Sequence, residues 1–253
     1  MSYKIMIDAG HGGYDPGAVY NGRQEKDDVL KLALAVGENL QNRGIDVEYT
    51  RTTDVYDSPF QKATKANQSG ADFFVSFHRN AFPTANTVSG VETLVYDKSG
   101  VKYQMAQDIN EQLESVGFVN LGVKERPNLV VLKRTKMPAI LVEVGFMNSD
   151  TDNQLFDQNF DAIVEGIADG ILDTLSTTGD IEKKYYRVQV GAFRNKQYAQ
   201  KLLNELLEQN YPAFVEEKDG YQRVQVGSYN TLEEAADMER RLKRAGYPTI
   251  MLV

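Results

Sequence analysis

Residues 1–27 read MSYKIMIDAGHGGYDPGAVYNGRQEKD. Near its start, a short apolar run leads directly into a glycine-rich loop. The run over residues 3–8 has the length and character of a buried strand, and the glycines after it allow a sharp turn. A polar, helix-like segment begins at Glu25. The succession of strand, loop and helix is typical of the first unit of an α/β fold.

The alternation of strand-like and helix-like segments continues to about residue 175. Strands are predicted at 3–8, 45–50, 72–77, 90–96, 128–132 and 138–144, and helices at 25–42, 59–69, 101–116 and 159–175. Ser58 and Pro59 favour a helix start, and Gly44 favours a stop after the first long helix. This pattern predicts a mostly parallel, twisted sheet flanked by helices.

A polar stretch at residues 176–183 predicts a linker between a domain over 1–175 and a second one over 184–253. The second part contains a repeat, since YRVQVGAF at 186–193 recurs as YQRVQVGSY at 221–229. Each copy precedes a helix-like segment and a short apolar strand. Two such βαβ units predict a small α+β domain with a ferredoxin-like split βαβ fold.

Composition narrows the function classes. The chain has 253 residues, a net charge of -8 and no cysteine. The acidic balance argues against nucleic acid as a partner, and without thiolates any metal must be held by His, Asp or Glu. Because no run of about 18 apolar residues and no apolar signal segment is present, we expect no membrane insertion. We expect synthesis in the cytoplasm and action after lysis or release; the oligomeric state is not indicated.

The glycine-rich loop could hold a phosphate or a metal ion. Asp15 stands where a dinucleotide-binding loop has its third glycine, and the Gly-Lys-Ser/Thr of a P-loop is absent. A carboxylate at this position would repel a pyrophosphate, so a phosphate site is disfavoured.

Both histidines of the chain follow predicted strands. His11 follows strand 3–8, His78 follows DFFVSF, and Glu143 interrupts the apolar strand PAILVEV. Glu25 begins the first helix, near the same edge of the sheet. Two His and two Glu match a hydrolytic zinc site with three ligands and one carboxylate left as a base, although spacing does not decide which Glu is which.

Each of these residues also has a purely structural interpretation. A histidine can serve in a turn or a core, Glu25 can simply favour a helix N-terminus, and Glu143 can belong to a buried ion pair. Their joint placement at one edge of the sheet favours the metal site.

Four motifs occur together over about residues 3–175: IDAGHGGYDPGA, QEKD, VSFHRNA and MPAILVEVGFMNS. In this order they resemble the zinc-dependent N-acetylmuramoyl-L-alanine amidases of the amidase-3 family. The resemblance implies that His11, Glu25 and His78 bind one Zn²⁺ per chain and that Glu143 is the catalytic carboxylate. It also implies cleavage of the amide between N-acetylmuramic acid and L-alanine of the stem peptide.

Two residues depart from the pattern of many relatives. Lys62 replaces an arginine, and we expect it to be structural. Arg79 stands where small or varied residues are common, and we expect it to face solvent. Residues 83–88 and 120–126 are expected to form loops at the rim of the site.

Strict alternation along the repeat strands predicts which side chains lie on the open face of the second sheet. These are Arg187, Gln189, Phe193, Arg223, Gln225 and Tyr229. Such a face suits a sugar chain or single-stranded RNA, or is simply solvated. The region resembles the SPOR domain, which implies binding to peptidoglycan glycan strands stripped of stem peptides.

The sequence thus predicts a peptidoglycan hydrolase whose partners are the muramyl-peptide substrate and denuded glycan strands. The combination with SPOR resembles mother-cell wall autolysins of sporulation. A phage or prophage endolysin with the same chemistry, a zinc carboxypeptidase and a non-catalytic wall-binding protein remain as alternatives.

Overall fold

The computed structural model describes residues 3–177, 186–229 and 232–252. The chain divides into two compact units, Met1–Glu182 and Lys183–Val253. Of the expected linker, residues 176 and 177 lie in the last turn of a helix, and residues 178–183 fall outside the described residues. Within the described ranges, no helix combines the length and the apolar character that a bilayer crossing demands.

The first unit is an α/β structure. Its elements are β1 (Lys4–Ala9), β2 (Val19–Tyr20), β3 (Arg23–Gln24), α1 (Glu25–Asn42), β4 (Asp46–Tyr49), α2 (Pro59–Ser69), β5 (Phe73–Asn80), β6 (Val91–Val95), α3 (Gly100–Val116), β7 (Asn120–Glu125), α4 (Val130–Arg134), β8 (Ala139–Phe146), α5 (Asp150–Gln158) and α6 (Phe160–Thr177). The main sheet has the order β4-β1-β5-β8-β6-β7. Neighbours are parallel except β6 and β8, which confirms the mostly parallel sheet.

Helices cover both faces of this sheet. α1, α3 and α6 pack on one face around a large apolar core that includes Ile5 and Val75. α2 and α4 pack on the other face around Met6 and Phe74. Because side chains alternate along a strand, burial on both faces favours consecutive apolar residues, as in Ile5–Ile7 of β1 and Phe73–Val75 of β5.

The predicted helix boundaries around α1 and α2 are confirmed. The Ser58 side chain accepts a hydrogen bond from the Gln61 backbone, and the Gln61 side chain accepts one from the Ser58 backbone, which forms a capping box. Gly44 follows α1 with a φ of 85°, a left-handed conformation that favours glycine.

One predicted strand is wrong. Residues 130–134 form helix α4, and the strand that pairs with β6 is β7, within the segment expected to be a loop. The run NLVVL is too short for its apolar character to separate a strand from a buried helical turn. β7 lies at an edge of the sheet and is largely polar, so it carries little strand signal. The polar helix α5 was not predicted either.

The second unit has the predicted ferredoxin-like arrangement. Its elements are β9 (Tyr186–Phe193), α7 (Lys196–Glu208), β10 (Ala213–Lys218), β11 (Tyr221–Tyr229), α8 (Leu232–Arg244) and β12 (Ile250–Leu252). The antiparallel sheet has the order β10-β11-β9-β12. Both helices pack on one face of it, where Leu206 and Leu242 meet Val188 and Val224 in a single core.

Candidate metal centre and catalytic carboxylate

Three potential metal ligands converge at the carboxyl ends of the central strands. His11, Glu25 and His78 each offer one ligand atom, and these atoms lie within 4.8 Å of one another. Oε1 of Glu25 is 3.1 Å from Nε2 of His11 and 2.9 Å from Nδ1 of His78. Parallel strands bring their carboxyl ends to one edge, so residues distant in sequence meet there.

The glycines of the first loop permit this close approach. A Cβ on Gly10 would lie 2.4 Å from Cε1 of His78, and a Cβ on Gly17 would lie 2.6 Å from Oε2 of Glu25. Gly17 also has a φ of 66°. Any larger residue at either position would therefore displace the His78 or Glu25 side chain or strain the backbone.

Hydrogen bonds from neighbouring groups orient His11 and Glu25. Oδ2 of Asp15 is 2.9 Å from Nδ1 of His11, an arrangement that leaves Nε2 directed at the centre. The Glu25 carboxylate accepts hydrogen bonds from the backbone N–H groups of Ala18 (2.9 Å) and Arg79 (3.0 Å). These contacts hold the side chains in place independently of any bound ion.

The close contacts within this cluster shift the pKa values of His11 and Glu25. Burial lowers the pKa of His11, but hydrogen bonds and the charges of Glu25 and Asp15 outweigh it and raise the pKa to about 9. Burial raises the pKa of Glu25, yet its contacts with His11 and His78 hold that pKa well below its usual range. Both shifts indicate that the surroundings of the Glu25 carboxylate favour positive charge, as the surroundings of a metal site do.

Glu143 lies directly beside His78, its partner in the pairing of β5 with β8. Its Oε2 atom is buried and has no hydrogen-bond partner among the residues that the structure describes. Burial raises the pKa of Glu143 to about 7, an effect that the charge of His78 opposes and the charges of Glu25 and Glu92 reinforce. A carboxyl group with a pKa near neutrality is suited to accept and release a proton.

Glu92 is a second buried carboxylate beside Glu143, and sequence reasoning missed it. The two residues face each other across the antiparallel pair β6–β8. Glu92 forms an ion pair with Lys124 and accepts a hydrogen bond from Asn80 (3.0 Å). The signal was available, because Glu92 interrupts an apolar strand just as Glu143 does.

The expectation that Arg79 faces solvent is wrong. Arg79 is 1% exposed, and its Nη1 lies 2.6 Å from Oδ2 of Asp28 on α1. Its Nε donates to the Val144 carbonyl (3.1 Å), and its guanidinium lies 4.4 Å from the Phe156 ring centroid. Successive residues of β5 point to opposite faces and both faces are buried, so the side chain after His78 enters the interior.

Lys62 is structural, as expected. Its ammonium lies 2.9 Å from the buried Asp8 carboxylate and donates to the Ala9 carbonyl (2.6 Å). Lys62 and Asp8 line a cavity of about 270 Å³ that is also lined by His11 and His78. The cavity gives a substrate access to the candidate ligands.

The second unit places the predicted glycan-binding residues in two kinds of surroundings. Arg187, Gln189 and Arg223 are half-buried, while Gln225 is 1% exposed and donates to Glu216 (2.9 Å). Phe193 and Tyr229 instead pack against the core beneath the helices, so the outward orientation predicted for these two rings is wrong.

Bulges explain the reversed rings. The pairing of β9 with β11 shifts register between Val224 and Gln225 and again between Val226 and Tyr229. An extra residue in one strand reverses which face the following side chains occupy. Gly227 makes this possible, because it has a φ of 68° and a Cβ there would lie 2.1 Å from Cζ of Tyr229.

Both units of the chain match families of known proteins. The profile of the family Amidase_3, N-acetylmuramoyl-L-alanine amidase, matches residues 5–173, and the SPOR domain profile matches residues 182–252. The sporulation-specific N-acetylmuramoyl-L-alanine amidase of Bacillus subtilis (strain 168) is 34% identical over 225 residues, 85% of this chain and 85% of that protein. The endolysin of Bacillus phage SPP1 is 37% identical over 164 residues, 63% of this chain and 60% of the endolysin.

The fold is also shared with solved structures. The N-acetylmuramoyl-L-alanine amidase from Clostridium difficile 630 is 36% identical, with a TM-score of 0.66, and the match covers 70% of this chain and 99% of that chain. The family match covers more than half of the chain. The chain therefore belongs to the N-acetylmuramoyl-L-alanine amidase family and is a peptidoglycan amidase that carries a C-terminal SPOR domain.

Proposed function

We propose that this amidase holds one zinc ion on His11, Glu25 and His78 and uses Glu143 as its general base. The observation that supports this most directly is the convergence of the three ligand atoms within 4.8 Å, beside a buried Glu143 oxygen that has no hydrogen-bond partner within the described ranges. The bond cleaved is the amide between the lactyl group of N-acetylmuramic acid and L-alanine of the stem peptide.

The donor set fits zinc. Two imidazole nitrogens and one carboxylate oxygen are a ligand set found in catalytic zinc sites that keep a position open for water or substrate. When bound, zinc polarises a carbonyl oxygen and lowers the pKa of a bound water toward neutrality. Asp15 contributes by fixing the orientation of the His11 ring.

Glu143 accepts and then donates the proton in this reaction. Its carboxylate accepts a proton from the attacking water as the new C–O bond forms at the lactyl carbonyl. The same proton then passes to the amide nitrogen as the C–N bond breaks, which releases the stem peptide with a free amino terminus on L-alanine. The pKa near 7 places Glu143 where both transfers are feasible.

Mass analysis of digested muropeptides tests the bond that is cleaved. Release of free stem peptides with N-terminal alanine supports the amidase reaction, whereas loss of a terminal D-alanine would indicate a carboxypeptidase. The Glu143→Gln variant should retain one zinc per chain by elemental analysis and lose almost all turnover. Retained turnover would contradict the role of Glu143.

We propose that the second unit binds denuded glycan through the sheet face that carries Arg187, Gln189 and Arg223. Guanidinium and amide groups can hydrogen-bond the hydroxyl and acetamido groups of sugars. A pull-down of the Arg187→Ala/Arg223→Ala variant and the unaltered chain on amidase-treated walls tests this face. Equal capture of both chains, or equal capture on treated and untreated walls, would contradict it.

A sporulation autolysin is favoured over a phage endolysin. The Bacillus subtilis sporulation amidase aligns over 85% of this chain, whereas the phage SPP1 endolysin aligns over 63% of it. Expression restricted to late sporulation, measured as transcript level, would support this assignment, and expression only after prophage induction would contradict it.

A further inference from the structure

Two tyrosines form a stacked pair that the chemistry above does not use. The rings of Tyr14 and Tyr56 have centroids 4.3 Å apart and are inclined by 33°. Tyr14 is 79% exposed, so most of its ring faces solvent. An exposed aromatic ring of this size contributes little to the core and is available for contact with a ligand.

The pair is adjacent in the chain to the cavity that contains His11 and His78. Asp15 and Asp57, which directly follow the two tyrosines, both line this cavity. Consecutive Cα atoms are about 3.8 Å apart, so the backbone of each tyrosine lies next to a residue of the cavity wall.

The two loops that carry the rings are joined firmly. The Lys26 ammonium donates to the Gly13 carbonyl (2.8 Å) and to the Asp54 carboxylate (2.7 Å). Asp54 also accepts a hydrogen bond from the Gly13 backbone (2.7 Å). A Cβ on Gly13 would lie 2.9 Å from the backbone nitrogen of Tyr56, so the loops are in direct contact. A surface held in this way loses little conformational entropy when it binds a ligand.

We propose that Tyr14 and Tyr56 form a platform for a sugar ring of the glycan strand, next to the scissile amide. The C–H face of a pyranose is apolar and packs well against the face of an aromatic ring. In the substrate, sugar and peptide meet at the lactyl group, so one sugar must lie near the ligands. Identification of that bond rests on the proposed function.

Polar groups next to the pair suit a sugar. Asp15 and Asp57 line the cavity and contact His11 and Lys65. Their carboxylates can also accept hydrogen bonds from the hydroxyl and amide groups of a sugar ring. In this arrangement the glycan extends over the tyrosines.

A single-tryptophan reporter tests binding without catalysis. The chain contains no tryptophan, so Tyr14→Trp introduces one indole at the platform. Titration of the full-length variant with a peptide-free oligosaccharide of N-acetylglucosamine and N-acetylmuramic acid should shift its emission to shorter wavelength in a saturable manner. Unchanged emission would overturn the proposal.

The matched control for this titration is Tyr96→Trp. Tyr96 is 41% exposed and follows β6, whose carboxyl end lies away from the zinc-ligand edge because β6 runs antiparallel to β8. Its emission should not respond to the oligosaccharide. An equal response of the two variants would mean that binding elsewhere causes the change, and would also overturn the proposal.

Kinetics with two substrates test whether the platform serves the reaction. On a disaccharide-peptide, Tyr14→Leu should lower kcat/KM by about 5- to 10-fold, and Tyr14→Phe should stay near the unaltered enzyme, as expected for loss of an aromatic contact. On an N-lactoyl stem peptide without sugar, the two variants and the unaltered enzyme should have equal kcat/KM. Equal losses on both substrates, or no loss on either, would contradict the platform.

These outcomes are separable from those of the proposed function. If the unaltered enzyme releases no stem peptide from either substrate, the amidase chemistry fails. The emission of the Tyr14→Trp variant still decides whether the sugar binds there.

Discussion

Replacing Glu143 by glutamine should stabilise the metal-free fold at the same time as it abolishes hydrolysis. Burial raises the pKa of Glu143 from its ordinary 4.5 to about 7, because the charged form is poorly solvated there. Between these two values the folded chain binds a proton that the unfolded chain releases. Stability is therefore lost as the pH rises through this window, and the neutral amide avoids that loss.

The size of the effect follows from the pKa. One pKa unit corresponds to about 1.4 kcal/mol, so ionised Glu143 costs the folded chain about 3 kcal/mol above pH 7. Glu143→Gln should recover about 2 to 3 kcal/mol of the free energy of unfolding at pH 8 and close to nothing at pH 4.5. Bound zinc would reduce the gain, since a nearby cation favours the carboxylate.

Urea unfolding of the metal-free protein at pH 4.5, 6 and 8 measures this directly. The control is Glu38→Gln, the same chemical change at an exposed position on α1, which should shift stability by less than about 0.5 kcal/mol at every pH. A Glu143→Gln variant that is no more stable than the unaltered protein at pH 8, or whose gain is independent of pH, would refute the reasoning.

Three further substitutions test the supporting contacts. Asp15→Asn should weaken zinc binding by about 10-fold, measured in competition with a chromophoric chelator, because the hydrogen-bond partner of His11 loses its charge. The control Asp54→Asn should leave zinc affinity unchanged. Equal effects of the two substitutions would contradict the orienting role of Asp15. Arg79→Met should lower the free energy of unfolding by about 3 kcal/mol in urea, since Asp28 loses a buried partner and keeps only Arg23; a loss below about 1 kcal/mol would contradict the ion pair. Ser58→Ala should lower it by about 1 kcal/mol through loss of the α2 cap, and no change would show that the capping box contributes nothing.

The main features of the fold were readable from the sequence because they depend on short-range patterns. Apolar runs predicted the central strands, and the repeat at 186–193 and 221–229 predicted the second unit. These signals are strong where a strand is buried on both faces. They are weak at a sheet edge, which is why the sequence predicts a strand at residues 128–132 and misses the polar strand β7.

The same limit applies within the sites. The ends of the central strands are readable from the sequence, so His11, His78 and Glu143 can be assigned to one edge of the sheet from the sequence alone. The bulges in β9 and β11 cannot be predicted in this way, because they depend on how the two strands pair. They reverse the orientation of Phe193 and Tyr229.

The sequence by itself determined the central strands and long helices of the first unit, the repeat that builds the second unit and the candidate metal ligands. Only the tertiary structure decided distances and surroundings: that Glu25 comes within 3.1 Å of both histidines, that Arg79 is buried, and that Glu92 lies beside Glu143. The physical reason is that periodicity and turn residues act over a few positions, whereas charge, burial and pKa depend on neighbours that only the folded chain brings together.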